Sequence, residues 1–317
     1  MHDIRPCQFF GTIFLPLSLH SQFVFLMYTM TYRMKLLFSL LLVTSSLIAC
    51  NKSIKGDDTP ASTESTQKDV AYGTDPAQKM DIYLPAGRTT AATKIMVLVH
   101  GGGWTAGDKA EFDAYIPTLK QRMPGYAIVN LNYRLATSNA NRFPAQENDI
   151  KAALEFVASK TGEYKVSQEI VLMGFSAGAH LALLQGYKHT APLKPRAIIS
   201  FFGPTDLVQM YNNPTSTYTT LLLEALIGAS PTQNLGAYQQ SSPAFFVNGS
   251  SAPTMILHGG QDNLVSPSQA TFLDSKLQAA GVIHEYVYYA NEGHGWFGAT
   301  LEDSFNKIEA FLDQHVK

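Results

Sequence analysis

"IVLMGFSAGAHLALL", residues 170–184, decides the fold. The apolar run Ile170–Met173 stops at Gly174, a single hydroxyl follows at Ser176, and the pattern then turns helical through Leu181 and Leu184. Gly174-Phe175-Ser176-Ala177-Gly178 has the form G-x-S-x-G between an expected strand and an expected helix, the setting of a nucleophile elbow. A serine can present its oxygen there only on a strained turn, and side chains at the flanking positions would strike the neighbouring strand and helix. Glycine removes that collision. The helix that starts at the turn also aims its N-terminal amides at any charge forming near Ser176. The plainer reading, a glycine-rich turn with an incidental serine, is weakened by the flanking strand and helix patterns.

Outward from this stretch, strands and helices take turns. "KMDIYLP" (79–85) alternates as an early strand would, and "KIMVLVHGG" (94–102) and "YAIVNLNYRL" (126–135) are apolar runs suited to strands buried on both faces. Residues 145–159 place Ile150, Ala153, Leu154 and Val157 on one helical face. "RAIISFFG" (196–203), "PTMILHGG" (253–260) and "HEYVYYA" (284–290) read as further strands. "SPSQATFLDSKLQAAG" reads as a helix with a Ser266/Gln269 capping box, Pro267 in its first turn and Gly281 as its stop. Phe305, Ile308 and Leu312 mark a closing helix. This alternation predicts a mainly parallel sheet with helices on both faces, and functional groups in the loops past the carboxyl ends of its strands.

Each further motif obeys that placement. His100-Gly101-Gly102-Gly103-Trp104 follows the strand ending at Val99, and a glycine loop there lets backbone amides approach an oxyanion, with Ala177 after the serine as a further donor. A phosphate-binding loop fits poorly, because neither G-x-G-x-x-G nor a G-K-[ST] ending is present. A serine nucleophile needs a histidine base oriented by a carboxylate, in the chain order Ser, acid, His on such a scaffold. His294 in "NEGHGW" follows the last strand and is the expected base; His180 on the nucleophile's own helix reads as packing, His189 lies in a polar loop, His258 braces the loop it opens, and His284 opens a strand. Asp262 in "HGGQDNLV" is the expected acid, with Asp206 in "GPTDL" as its competitor or, more simply, a turn former. No H-E-x-x-H occurs, so no metal and no cofactor is expected.

With "MDIYLP", "HGGGW", "NYRL", "FPAQENDIKAAL", "GFSAGAHLA", "GPTDL", "LHGGQDNLV" and "EGHGW" in this order, the chain resembles the α/β-hydrolase superfamily. More narrowly it resembles the hormone-sensitive-lipase-like enzymes and the bifunctional feruloyl and acetyl xylan esterases (BD-FAE). The resemblance covers about Val70 to the C-terminus. It implies Ser176 as nucleophile, Asp262 and His294 as its partners, and Gly102, Gly103 and Ala177 as oxyanion donors. It also implies a small cap, here the insertion Leu207 to Val247, whose Tyr211, Tyr218 and Tyr238 either shape a pocket or pack a crossover helix. The expected activity is carboxylic-ester hydrolysis through an acyl-enzyme, on acetyl or feruloyl esters of carbohydrate. Amide hydrolysis of the arylformamidase or exopeptidase type is the alternative with the same chemistry, and a catalytically dead surface binding module the alternative of another class.

Composition agrees with a globular catalytic domain: 317 residues, 45% hydrophobic, 15% charged, formal net charge −2. No basic stripe suggests nucleic acid. The N-terminal part reads differently. "MKLLFSLLLVTSSLIAC" (34–50) has a positive start, a short apolar run and an ending that resembles a bacterial lipobox. Residues 1–33 are therefore expected to be a non-native upstream extension, 34–49 a lipoprotein signal, Cys50 the lipidated residue, 50–69 a flexible polar tether and 70–317 the α/β-hydrolase domain. The expected location is a bacterial membrane, reached by export and held by the N-terminal lipid. Cys7 and Cys50 are the only cysteines, so a monomer processed at Cys50 has no internal disulfide and relies on its core.

Overall fold

Strands buried on both faces must be apolar nearly throughout, and those at the centre of this sheet are. The computed structural model describes residues 59–316; the expected upstream extension, the expected signal segment and Cys50 lie outside them. The strands are β1 (Ser65–Ala71), β2 (Lys79–Leu84), β3 (Lys94–Val99), β4 (Tyr126–Leu131), β5 (Ile170–Phe175), β6 (Pro195–Phe201), β7 (Thr254–Gly259) and β8 (His284–Tyr289). They form one sheet in the order β1-β2-β4-β3-β5-β6-β7-β8. β1 and β2, and β2 and β4, pair antiparallel, and the remaining neighbours are parallel. Apart from its first residue, every position of β3 is buried, whereas the edge strand β8 buries only Val287 fully.

Side-chain alternation divides the core into two layers. Ile95, Val97 and Val99 of β3 face one layer, with Ile150, Leu154 and Val157 of α2 (Ala145–Tyr164), Leu181 of α3 (Ala177–Lys188) and Leu273 of α7 (Ser268–Ala279). Met96 and Leu98 face the other, with Leu119 of α1 (Ile116–Arg122) and Phe305, Ile308 and Leu312 of α8 (Gly298–His315). The segment between β6 and β7 carries α4 (Leu207–Asn212), α5 (Thr217–Ile227) and α6 (Leu235–Gln240).

Two expectations change. The tether read over residues 50–69 is ordered at its end: β1 begins at Ser65 and pairs with β2. As an edge strand it leaves most side chains in water, so its sequence carries no apolar signal. The capping box at Ser266 and Gln269 forms only in part: Ser266 Oγ accepts the Ser268 amide at 3.3 Å, but the Gln269 side chain does not return to Ser266. Gln269 turns inward instead, where its Oε1 accepts the buried amides of Thr205 and Asp206, both at 2.8 Å. Unpaired, those amides would cost more than an open helix end that water can reach. The stop at Gly281 does form: its φ is +65°, and Gly281 and Val282 donate to Gln278 and Leu277 in the Schellman pattern.

The register explains how distant motifs meet. Val99 lies beside Gly174, Phe175 beside Phe201, and Gly259 beside Tyr289, so the parallel strands release their loops at one rim. At the elbow, a Cβ on Gly174 would stand 2.4 Å from the Gly178 carbonyl carbon, and one on Gly178 only 2.0 Å from the Val99 carbonyl oxygen. We expect Gly178→Ala to lose about 3 kcal/mol or more of stability. Gly162→Ala, at a helical position with nothing within 4 Å of the added carbon, should be neutral or slightly stabilising. Thermal unfolding of the two variants checks the contrast.

Candidate active site

Ser176 sits at the junction of β5 and α3 with φ 51° and ψ −118°, a conformation a non-glycine residue holds only under tight constraint. Its amide donates to the Phe201 carbonyl at 2.9 Å, and its carbonyl accepts the His180 amide at 3.0 Å, so sheet and helix both hold the turn. Its Oγ lies 2.9 Å from Nε2 of His294, which follows β8. Nδ1 of the same ring lies 2.7 Å from Oδ2 of Asp262, which follows β7. The other oxygen, Oδ1, accepts the amides of Leu264 and Val265, each at 2.9 Å.

Asp262 has a further neighbour that motif reasoning missed. His258 Nε2 stands 2.9 Å from the Val265 carbonyl and 3.2 Å from Asp262 Oδ2. The brace read for His258 is therefore present, and it also reaches the carboxylate; the four-residue spacing within "HGGQD" was the available signal. Burial pushes the Asp262 carboxyl up, but hydrogen bonds from His258, His294 and the Val265 amide outweigh it and hold the group well below the usual carboxylate range. It is held as an anion, the state needed to orient an imidazole and to stabilise its protonated form. Asp206 takes no part. It caps α4, its Oδ1 accepting the amides of Val208 and Gln209 at 3.0 Å.

The glycine loop after β3 abuts the serine: a Cβ on Gly101 would lie 3.5 Å from that of Ser176. Gly102 (φ +94°) and Gly103 (φ +57°) are left-handed and line the cavity in front of Ser176. Among the described residues the amides of Gly102, Gly103 and Ala177 have no protein acceptor. Below the loop, Tyr133 stacks on His100 and donates to the His100 and Gly101 carbonyls. Trp104 is also left-handed, at φ 63°, yet buried. Its indole N–H donates to Nδ1 of His180 at 3.1 Å, which leaves Nε2 of that ring to donate to the Ser241 carbonyl at 2.6 Å. Burial depresses the His180 pKa to about 4, so the ring is neutral, as two opposite roles at its nitrogens require. His180 thus packs as expected, and also ties the glycine loop to α3 and to the inserted segment.

The cavity encloses about 390 Å³. The insertion contributes Met210, Tyr218, Thr219 and Leu222 to its lining; Tyr211 bonds Glu224 instead, and Tyr238 is buried under Tyr211. Phe202, left-handed at φ 42°, packs its ring 4.6 Å from that of His294 and was not anticipated. Among the described residues no cluster of His, Cys, Asp or Glu offers a metal a ligand set. The arrangement provides a hydroxyl next to a base, a base oriented by an anion, and free amides beside both, the components of acyl transfer.

The BD-FAE family model matches residues 80–277. Esterase LipC of Mycobacterium tuberculosis is 23% identical over 261 residues, which cover 77% of this chain and 64% of the relative. Among solved structures, a bifunctional GH43-CE protein of Bacteroides eggerthii is similar with a TM-score of 0.70 and 28% identity, over 80% of this chain and 38% of the other. A truncated carbohydrate esterase from gut microbiota is similar with a TM-score of 0.68 and 27% identity, over 82% of this chain and 99% of the other. The chain spans less than two-thirds of the length of the curated relatives it matches.

Replacing Trp104 by Phe keeps the bulk but leaves Nδ1 of His180 buried without a donor, a cost of about 1–3 kcal/mol. Steady-state kinetics on a soluble acetate ester should show a fall in kcat of about tenfold with a smaller change in KM, as the glycine loop loses its tie to α3.

Proposed function

The chain belongs to the BD-FAE family, and on that premise we propose that it is a serine carboxylic-ester hydrolase in which Ser176, His294 and Asp262 act as a catalytic triad on esters of carbohydrate. The observation that carries this reading is the continuous hydrogen-bond chain, 2.9 Å from serine to imidazole and 2.7 Å from imidazole to carboxylate. Ser176 Oγ attacks the ester carbonyl while His294 Nε2 takes its proton. Asp262 keeps the proton on Nδ1 and stabilises the imidazolium. The oxyanion is received by the amides of Gly102, Gly103 and Ala177, each donor contributing about 2.7–4 kcal/mol to the lowering of the barrier. The tetrahedral intermediate then collapses, and His294 returns the proton to the departing alcohol. A water molecule, deprotonated by the same imidazole, releases the acid from Ser176. The carbohydrate assignment draws its support from the carbohydrate esterase and GH43-CE neighbours, and the cavity of about 390 Å³ suits a compact acyl group.

With p-nitrophenyl acetate, Ser176→Ala and His294→Ala should each abolish turnover without lowering the melting temperature by more than a few degrees. Asp262→Asn should lower kcat by about 10⁴-fold. A serine-directed phosphonate should label the wild type and not Ser176→Ala. A folded wild type that shows neither turnover nor labelling would contradict the proposal and favour a binding module.

The export and lipid anchoring proposed at Cys50 rest on the sequence of residues 34–50. Cys50→Ala should move the expressed protein from the membrane fraction to the soluble fraction, read by fractionation and immunoblot.

A further inference from the structure

Among the described residues, one acidic side chain lines the cavity in front of Ser176. Glu111 lines it beside Gly101, Gly102 and Ala106, whereas the insertion lines it with Met210, Tyr218 and Leu222. The short 3-10 turn that carries Glu111, Lys109–Phe112, is pinned to the sheet. Asn130 donates to the Lys109 carbonyl at 2.7 Å, the Lys109 amide donates to Asn132 at 2.6 Å, and Phe112 is fully buried. Lys109, the nearest cation in sequence, directs its ammonium to Asp81 and Asp69. Glu111 Oε1 accepts the Asp108 amide at a long 3.3 Å, and no cation among the described residues pairs with the carboxyl group.

Two physical consequences follow. A carboxylate on the wall of a cavity in which an oxyanion develops opposes that charge, so on electrostatic grounds alone it works against acyl transfer. A substrate that covers it also strips its water, and that costs free energy unless donors on the substrate replace the lost hydrogen bonds. An alkyl group cannot do so, but an alcohol carrying several hydroxyls can.

Resting on the acyl-transfer reading above, we propose that Glu111 is a specificity residue that receives hydroxyl groups of the alcohol half of the ester. The site therefore takes acetyl-type esters of neutral polyols and sugars and turns away esters whose alcohol half carries an anion. A carboxylate–hydroxyl bond of this kind is worth about ten- to a hundredfold in binding.

The test compares kcat/KM ratios across substrates, so that any general loss of activity cancels. The substrates are acetylated xylo-oligosaccharide, 4-acetoxybenzoate and p-nitrophenyl acetate, and in all three the acyl group is acetyl. In Glu111→Ala, the ratio of xylo-oligosaccharide to p-nitrophenyl acetate should fall at least tenfold, mainly through KM. In Glu111→Gln, which keeps an oxygen for the Asp108 amide but removes the charge, the ratio of 4-acetoxybenzoate to p-nitrophenyl acetate should rise severalfold. Either ratio unmoved in a folded variant overturns the proposal and leaves Glu111 as the cap of its own turn. A wild type active on p-nitrophenyl acetate with unmoved ratios sinks this inference alone; a wild type that neither turns over nor takes the phosphonate sinks the esterase reading with it.

Discussion

The close approach of α3 to the sheet is the constraint on which the site depends. Gly178 lies so near the Val99 and His100 carbonyls, and Gly174 so near the start of α3, that neither position has room for a Cβ. This approach forces Ser176 into its left-handed conformation and stands its oxygen at the rim of the sheet. It also puts the glycine loop after β3 against the serine, because Gly178 packs against Val99 and His100, where β3 releases the loop. A single steric condition thereby sets both the Ser176 hydroxyl and the amides that flank it.

Electrostatics does the complementary work at β7 and β8. Asp262 is buried, and burial alone would favour its neutral form. Two backbone amides and two imidazoles reverse that preference. An anion so held cannot rotate away, because each oxygen already has its donors, and the ring of His294 is therefore aimed. Phe202 packs its ring against that of His294. Its strained backbone, like those of Ser176 and Trp104, belongs to the cluster of left-handed non-glycine residues at this rim.

The inserted segment between β6 and β7 is joined to this machinery through His180. Its carbonyl at Ser241 fixes one nitrogen of the ring, and the other nitrogen holds the indole of Trp104. The segment that lines the cavity therefore also bears on the loop whose glycines line it opposite. On the other side of that loop, the buried Asp81, bonded to Lys68 and Lys109, fixes the turn that carries Glu111. Both the apolar lining and the single acid of the cavity are thus held by elements that the sheet itself supports.

Much of this could be read in the chain. Doubly buried strands have to be apolar, amphipathic helices have to repeat, and a turn without room has to be glycine, so the α/β architecture and the stretches around Ser176, Gly102, Asp262 and His294 were visible as local patterns. Other features left no local trace. β1 is an edge strand whose polar side chains look like a tether, and Gln269 fits a capping pattern but serves two buried amides of a distant loop. The Trp104–His180–Ser241 chain, the Phe202 ring against His294 and the place of Glu111 in the cavity join residues tens to more than a hundred positions apart. Which residue types stand after which strands is written locally in the chain, since it follows from backbone sterics and burial within a few residues. Which of them touch is settled in the folded molecule, because strand order and register, and competition among buried polar groups for partners, exist only once the chain has folded.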